Sequence, residues 1–275
     1  MSAIKTTTLA LGIAAAAMTA AVVPSRAGFE DSDQQRQARW QELSKQIFDG
    51  KTPVADDKAV KIEAPARAQD AALVPITITL ANPKDVKALY LVIDDNPSPL
   101  AAHFTFGPDM DPKEIKLRVR VNTYTDMHAV AETKDGKLLV TTAFVKASGG
   151  CSAPMGVSDE EAMRGMGEMK LKLAGDVAAD KPVDATLMIR HPNFNGMQQN
   201  QLTQAFTPAR YIQSIDVKYN DKQVFNLATD ISLASNPVIS FDLLPSAAKG
   251  TLKVDVKDSQ NERWSKNFSV PNISN

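Results

Sequence analysis

Between residues 73 and 145 apolar and polar positions trade places at short range. In "IKLRVRV" (115–121), Ile115, Leu117, Val119 and Val121 alternate with Lys116, Arg118 and Arg120. That period of two turns one face of a strand inward and leaves the other to solvent. "LVPITITL" (73–80) and "VKALYLVID" (86–94) alternate or run apolar on either side of an Asn82-Pro83 turn. "HAVAET" (128–133) and "KLLVTTAFV" (137–145) flank Lys134-Asp135-Gly136, a hairpin signal. The style returns after residue 183 in "DATLMIRH" (184–191), "YIQSIDVKY" (211–219), "QVFNLA" (223–228), "VISFDLL" (238–244), "TLKVDVKD" (251–258) and "RWSKNFSV" (263–270). Asn220-Asp221 and Asp258 to Asn261 supply turns among them. No helical pattern alternates with these runs, which argues against a parallel α/β sheet. The expectation is an all-β chain of two antiparallel β-sandwich domains, similar in style but without a residue-by-residue repeat.

Two stretches break the β pattern. Trp40, Leu43, Ile47 and Phe48 fall at helical spacing, predicting a helix over 31–48 that Gly50 and Pro53 stop. Between the two β regions, residues 147–182 read as a connector. Ser158-Asp159-Glu160-Glu161 has the form of a capping box. It predicts a short helix to about Leu173, which Gly165 and Gly167 weaken by roughly 1 kcal/mol each.

Charge and composition narrow the partners. The formal net charge is -1, so no global field draws nucleic acid or an anionic membrane. At the N-terminus Lys5 precedes an almost uncharged run from Leu9 to Val23, and Ser25-Arg26-Ala27 supplies small residues for cleavage. That is the pattern of a secretory signal peptide, residues 1–27, leaving an exported chain without a membrane segment. The rival reading, an uncleaved anchor, meets a run that is short for a ~30 Å hydrocarbon core.

Candidate chemistry is sparse. His103, His128 and His191 stand on or beside predicted strands at no metal-ligand spacing, which favours structural roles. Asp109-Met110-Asp111 lacks the glycine and spacing of a calcium loop. Neither a nucleophile triad nor a phosphate loop can be assembled, so no catalytic residue and no metal site is assigned.

The one cysteine, Cys151, lies in "KASGGCSAPMG" (146–156). A leftover thiol in an oxidising compartment points to intermolecular pairing or a reactive group, the alternative being a buried cysteine packed as a small hydrophobe. Gly149, Gly150, Ser152, Ala153, Pro154 and Gly156 suit neither a core strand nor a helix interior. The reading is an exposed thiol on a mobile stretch. Lys146 is the only cation close in sequence, so activation of the thiol is expected from a partner's pocket. Met155, Met163, Met166 and Met169 crowd the same connector. Thioethers and a thiolate could hold Cu(I), while their helical spacing also fits a packing face.

The chain resembles SoxYZ, the periplasmic carrier of the Sox sulfur-oxidation system, with its two subunits fused. "NPSPLAAHFTF" (96–106) and "VAETKDGKLLVTTAFVKASGGC" (130–151) are similar to SoxY and end on its Gly-Gly-Cys signature. "IRHPNFNGMQQ" (189–199), "TPARYIQSIDVKYNDKQVF" (207–225), "NPVISFDL" (236–243) and "TLKVDVKDSQNERW" (251–264) are similar to SoxZ. The resemblance divides the chain into a SoxY-like part, 28–146, the connector, 147–182, and a SoxZ-like part, 183–275. It implies immunoglobulin-like sandwiches that pack together and a carrier without catalytic activity of its own. It also implies Cys151 as the covalent attachment point for sulfur intermediates, Gly149 and Gly150 as its flexible arm, and no cofactor beyond the bound sulfur. The variant it most resembles is associated with quinoprotein dehydrogenases. Partners are then periplasmic sulfur-oxidation enzymes or such a dehydrogenase, for which a non-covalent adaptor is the second reading. The family's arm reads Gly-Gly-Cys-Gly-Gly at a free C-terminus; here Ser152-Ala153 follow and the chain continues, so the arm is tied at both ends.

Overall fold

Burial follows a period of two along most of the strands the sequence predicts. In the computed structural model, which describes residues 31–200 and 203–271, Val74, Ile76, Ile78 and Leu80 are buried on one face of their strand. Leu252, Val254 and Val256 are buried on theirs. The signal peptide read over 1–27 lies outside the described residues.

In chain order the first half holds α1 (Asp33–Ile47), β1 (Val54–Ala55), β2 (Val60–Glu63), β3 (Val74–Leu80), β4 (Val86–Ile93), β5 (Leu100–Phe106), β6 (Met110–Val119), β7 (Thr125–Thr133) and β8 (Leu138–Val145). The second holds α2 (Asp159–Met163), β9 (Met169–Ala174), β10 (Val183–Ile189), β11 (Ile212–Tyr219), β12 (Lys222–Thr229), β13 (Val238–Leu243), β14 (Gly250–Asp258) and β15 (Arg263–Val270). The fold is mostly β, as the pattern predicts.

The strands form two sheets, and each sheet draws on both halves of the sequence. One runs β1-β8-β7-β4-β5-β12-β11-β14-β15 and the other β2-β3-β6-β13-β10-β9. Among these strands every pairing is antiparallel except the short β1–β8 contact, and an isolated Arg67–Lys146 bridge is parallel as well. The halves join where β5 meets β12, with Phe104 opposite Leu227. They join again where β6 meets β13, with Ile115 opposite Phe241. Edge strands that would otherwise be left open are closed against each other. The larger apolar cluster runs through the join, and Phe225 belongs to it, with ring centroids 5.6 Å from Phe104 and 5.0 Å from Phe241. Truncating Phe225 to alanine would cost about 3–5 kcal/mol.

Ser32 and Gln35 form a reciprocal capping box at the start of α1. The helix lays Trp40 on His128, ring centroids 3.7 Å apart. Its Arg36 pairs with Asp126 and its Arg39 with Asp95. The helix predicted from Ser158 to about Leu173 is corrected: Ser158 does cap it, but it ends at Met163. Gly165 and Gly167 take positive φ there, and a Cβ on Gly167 would meet the Trp264 ring at 2.0 Å. "MKLKLA" then forms β9, burying Met169 and Leu171 and exposing Lys170 and Lys172.

Candidate functional site

After β8 the chain turns back against the end of β6. Gly149 N–H donates to the Asn122 carbonyl (2.7 Å) and Gly150 N–H to the Val121 carbonyl (3.1 Å). The Ser152 amide and hydroxyl both reach the Gly149 carbonyl, closing a turn in which Gly149 has φ +71°. A Cβ at Gly150 would lie 2.0 Å from the Ala71 carbonyl oxygen and 2.5 Å from that of Val121. Gly150 is therefore required by close approach of backbone.

Cys151 follows at 0% exposure. Asn195, from the second half, donates through Nδ2 to the Cys151 carbonyl (2.6 Å). The thiol thus lies at the joint of the two halves. This corrects the sequence reading of an exposed thiol on a protruding arm: the small residues let the turn pack in. Burial pushes the thiol pKa up to about 11, against the pull of the Arg120 charge. In this conformation the sulfur is a sheltered, neutral thiol, a poor nucleophile.

Arg120 is the cation beside Cys151; Lys146 instead lies over the Tyr124 and Phe144 rings. The strand alternation places Arg120 on the outer face with Lys116 and Arg118. The structure buries it at 1% exposure, because β6 ends at Val119 and the next residue turns inward. Its backbone is fixed on both sides, N–H to the Ser232 carbonyl (2.8 Å) and carbonyl to Asn96 Nδ2 (2.7 Å). Its guanidinium makes three long contacts: Nη1 to the Gly150 carbonyl at 3.5 Å, Nη2 to the Asn193 carbonyl at 3.4 Å, and Nη2 to Met155 Sδ at 3.9 Å. Nε has no partner among the described residues. Burial pulls the guanidinium pKa down, while Cys151 and the exposed Asp70 oppose that.

The second half completes the site with "NFNGMQ" (193–198). Asn193 is buried, its amide donating to the Leu233 and Ala234 carbonyls and its Oδ1 accepting from Ile212 N–H. Gln198 accepts from Asn195 N–H and donates through Nε2 to Met155 Sδ (3.5 Å). Met155 and Gln198 also line a surface pocket of about 240 Å³ with Pro154, Val157, Asp159 and Thr207. Arg120, Asn193, Asn195 and Gln198 were not legible as site residues; three are short polar residues in one loop, and Arg120 carried a misleading strand phase.

The remaining candidates have other settings. His103 stacks on Tyr90 at 4.1 Å, and burial lowers its pKa. His128 is held between Thr142 Oγ1 and Asp94 Oδ2. Burial lowers the pKa of His191 to about 4; its Nδ1 accepts from Asn193 N–H. Among the described residues, no three His, Cys, Asp or Glu side chains gather as metal ligands. The methionines are spread: Met169 is core, Met163 is exposed, and Met155 lies over Arg120. Among the described residues no helix is long and apolar enough to cross a membrane.

Comparison with known proteins finds two family matches along the chain. The family model of sulfur oxidation protein SoxY matches residues 44–151, ending on Cys151, and that of sulphur oxidation protein SoxZ matches residues 171–269. Among solved structures, the sulfur carrier protein SoxY from Chlorobium limicola f thiosulfatophilum is 28% identical, covering 41% of this chain and 94% of its own, with a TM-score of 0.35. A beta-glycosidase from Bacteroides vulgatus is 10% identical, covering 77% of this chain and 24% of its own, with a TM-score of 0.24. No curated protein matches the chain.

Proposed function

The chain belongs to the fused SoxYZ-like sulfur carriers, a SoxY region followed by a SoxZ region, and we propose that it works in the periplasm by holding sulfur intermediates covalently on Cys151. The supporting observation is positional: the only thiol of the chain stands in the Gly-Gly-Cys that closes the SoxY match. Loading joins the Cys151 sulfur to a sulfur nucleophile such as thiosulfate, leaving a disulfide-linked sulfonate. The thiol proton goes to solvent, and two electrons pass to a redox centre of the oxidising partner enzyme.

Burial of the sulfur adds a step. The turn must lift before a partner can reach it, which releases the hydrogen bonds donated by the Gly149 and Gly150 amides and the one Asn195 donates to the Cys151 carbonyl. Each is worth about 0.5–1.5 kcal/mol, within the range of local opening driven by partner binding. The closed state shields a lone thiol from disulfide formation between copies.

The same burial favours a second reading, a non-covalent accessory protein of a quinoprotein dehydrogenase in which Cys151 is structural. Cys151→Ser in the native host separates the two. A carrier variant reduces sulfur-compound oxidation to the level of a deletion; an accessory protein keeps its function with serine in place.

A further inference from the structure

Arg120 is out of keeping with the rest of the interior. A buried guanidinium carries five N–H donors and a fixed charge, and such groups are retained when a carboxylate or several good acceptors answer them. Among the described residues Arg120 takes part in no ion pair, leaves Nε unpartnered, and meets only neutral acceptors at long range. Of the three acceptors that the Arg120 guanidinium approaches, the sulfur of Met155 is also approached by Gln198 Nε2. A thioether is a weak acceptor, so a cationic and an amide donor converge on a place better suited to anionic oxygen. Met155 and Gln198 both line the 240 Å³ surface pocket, which Arg120 does not, and an unbranched side chain such as Met155 can swing aside without rebuilding the backbone.

We propose that Arg120, with Gln198, forms an anion site that receives the sulfonate end of a group carried on Cys151, Met155 occupying that place when the cysteine is bare. This rests on the covalent-carrier reading. The guanidinium plane presents paired N–H groups to two sulfonate oxygens, as it does to carboxylate or phosphate. The site then tells loaded from bare carrier: an anionic adduct satisfies Arg120, whereas a bare thiol leaves it unanswered.

The test compares two adducts on the full chain. Tetrathionate converts the Cys151 thiolate to Cys–S–S–SO₃⁻, releasing thiosulfate. Methyl methanethiosulfonate converts it to the neutral Cys–S–S–CH₃, releasing methanesulfinate. Intact mass verifies each product, and thermal melting reads the outcome. The sulfonate-loaded chain is expected to melt about 5 °C above the methyl-loaded one, and Arg120→Met to abolish that gap. Equal or reversed melting in the wild type overturns the site, as does a gap that survives Arg120→Met. The wild-type comparison stands even where that variant folds poorly. Failure of both reagents to label native protein shows a thiol that never opens, which sinks the carrier reading and this site together. Efficient labelling without a gap sinks the anion site alone.

Discussion

Arg210 and Arg120 both reach the backbone at residues 193–194, and their surroundings differ in kind. Arg210 donates its amide to the Phe194 carbonyl and its side chain to two carboxylates, Asp258 (2.8 Å) and Glu262. Burial works against its charge, yet Asp258 and Glu262 outweigh that and hold its pKa above the ordinary value. Arg120, more deeply buried, touches the Asn193 carbonyl at 3.4 Å and pairs with no acid among the described residues. One cation is settled by the fold; the other is left waiting. The interior around β14 is built for stability, and that around Cys151 keeps an unpaid charge where an anionic cargo would arrive.

The largest test of this contrast is Asp258→Ala. It strips Arg210 of its buried partner and leaves the Gln260 and Glu262 amides without an acceptor. A loss of about 3 kcal/mol in urea unfolding is expected; a loss under about 1 kcal/mol would erase the contrast.

The two regions also respond to opposite ends of the pH scale. His191 is kept neutral with a pKa near 4, so the unfolded chain takes up a proton first as pH falls. Its contribution is lost between about pH 6.5 and 4, by up to about 3 kcal/mol. Cys151, with its pKa near 11, keeps its proton when the unfolded chain has already lost one. Stability therefore falls as pH rises from about 9 to 11, by about 2 kcal/mol. Unfolding midpoints across pH check both arms, and Cys151→Ser is expected to flatten only the alkaline one.

Gly150→Ala presses a methyl group into the Ala71 and Val121 carbonyls and should free the turn. We expect labelling of the thiol by a small alkylating reagent to quicken about tenfold or more, the equivalent of about 1.4 kcal/mol. An unchanged rate would mean that close packing of Gly150 does not keep the thiol closed. The smallest effect belongs to Arg120→Met in the bare chain: a change within about 1 kcal/mol, or a gain, against a clear loss for Arg210→Met. A loss of similar size in both would make Arg120 a structural cation like its counterpart.

The sequence made most of the strands legible because period-two burial is a local property, as in Val74 to Leu80. It also made α1 legible through Trp40, Ile47 and Phe48. What escaped it was set by distant partners. "MKLKLA" alternates plainly, but the Ser158 cap and the methionine spacing argued for helix until Gly165 and Gly167 are seen to end it. The burial of Cys151 depends on Ala71, Val121 and Asn195, between 30 and 80 residues away in sequence. Gly149 and Gly150 signalled an unusual backbone, and glycine serves close approach as readily as freedom.

The central claim is that sulfur rides on Cys151, and the intact mass of the protein purified from its native compartment without reductant tests it most directly. The account predicts a fraction of chains heavier by a sulfane or thiosulfonate group, lost on reduction and absent from Cys151→Ser. A uniformly bare thiol under sulfur-oxidising conditions would contradict it.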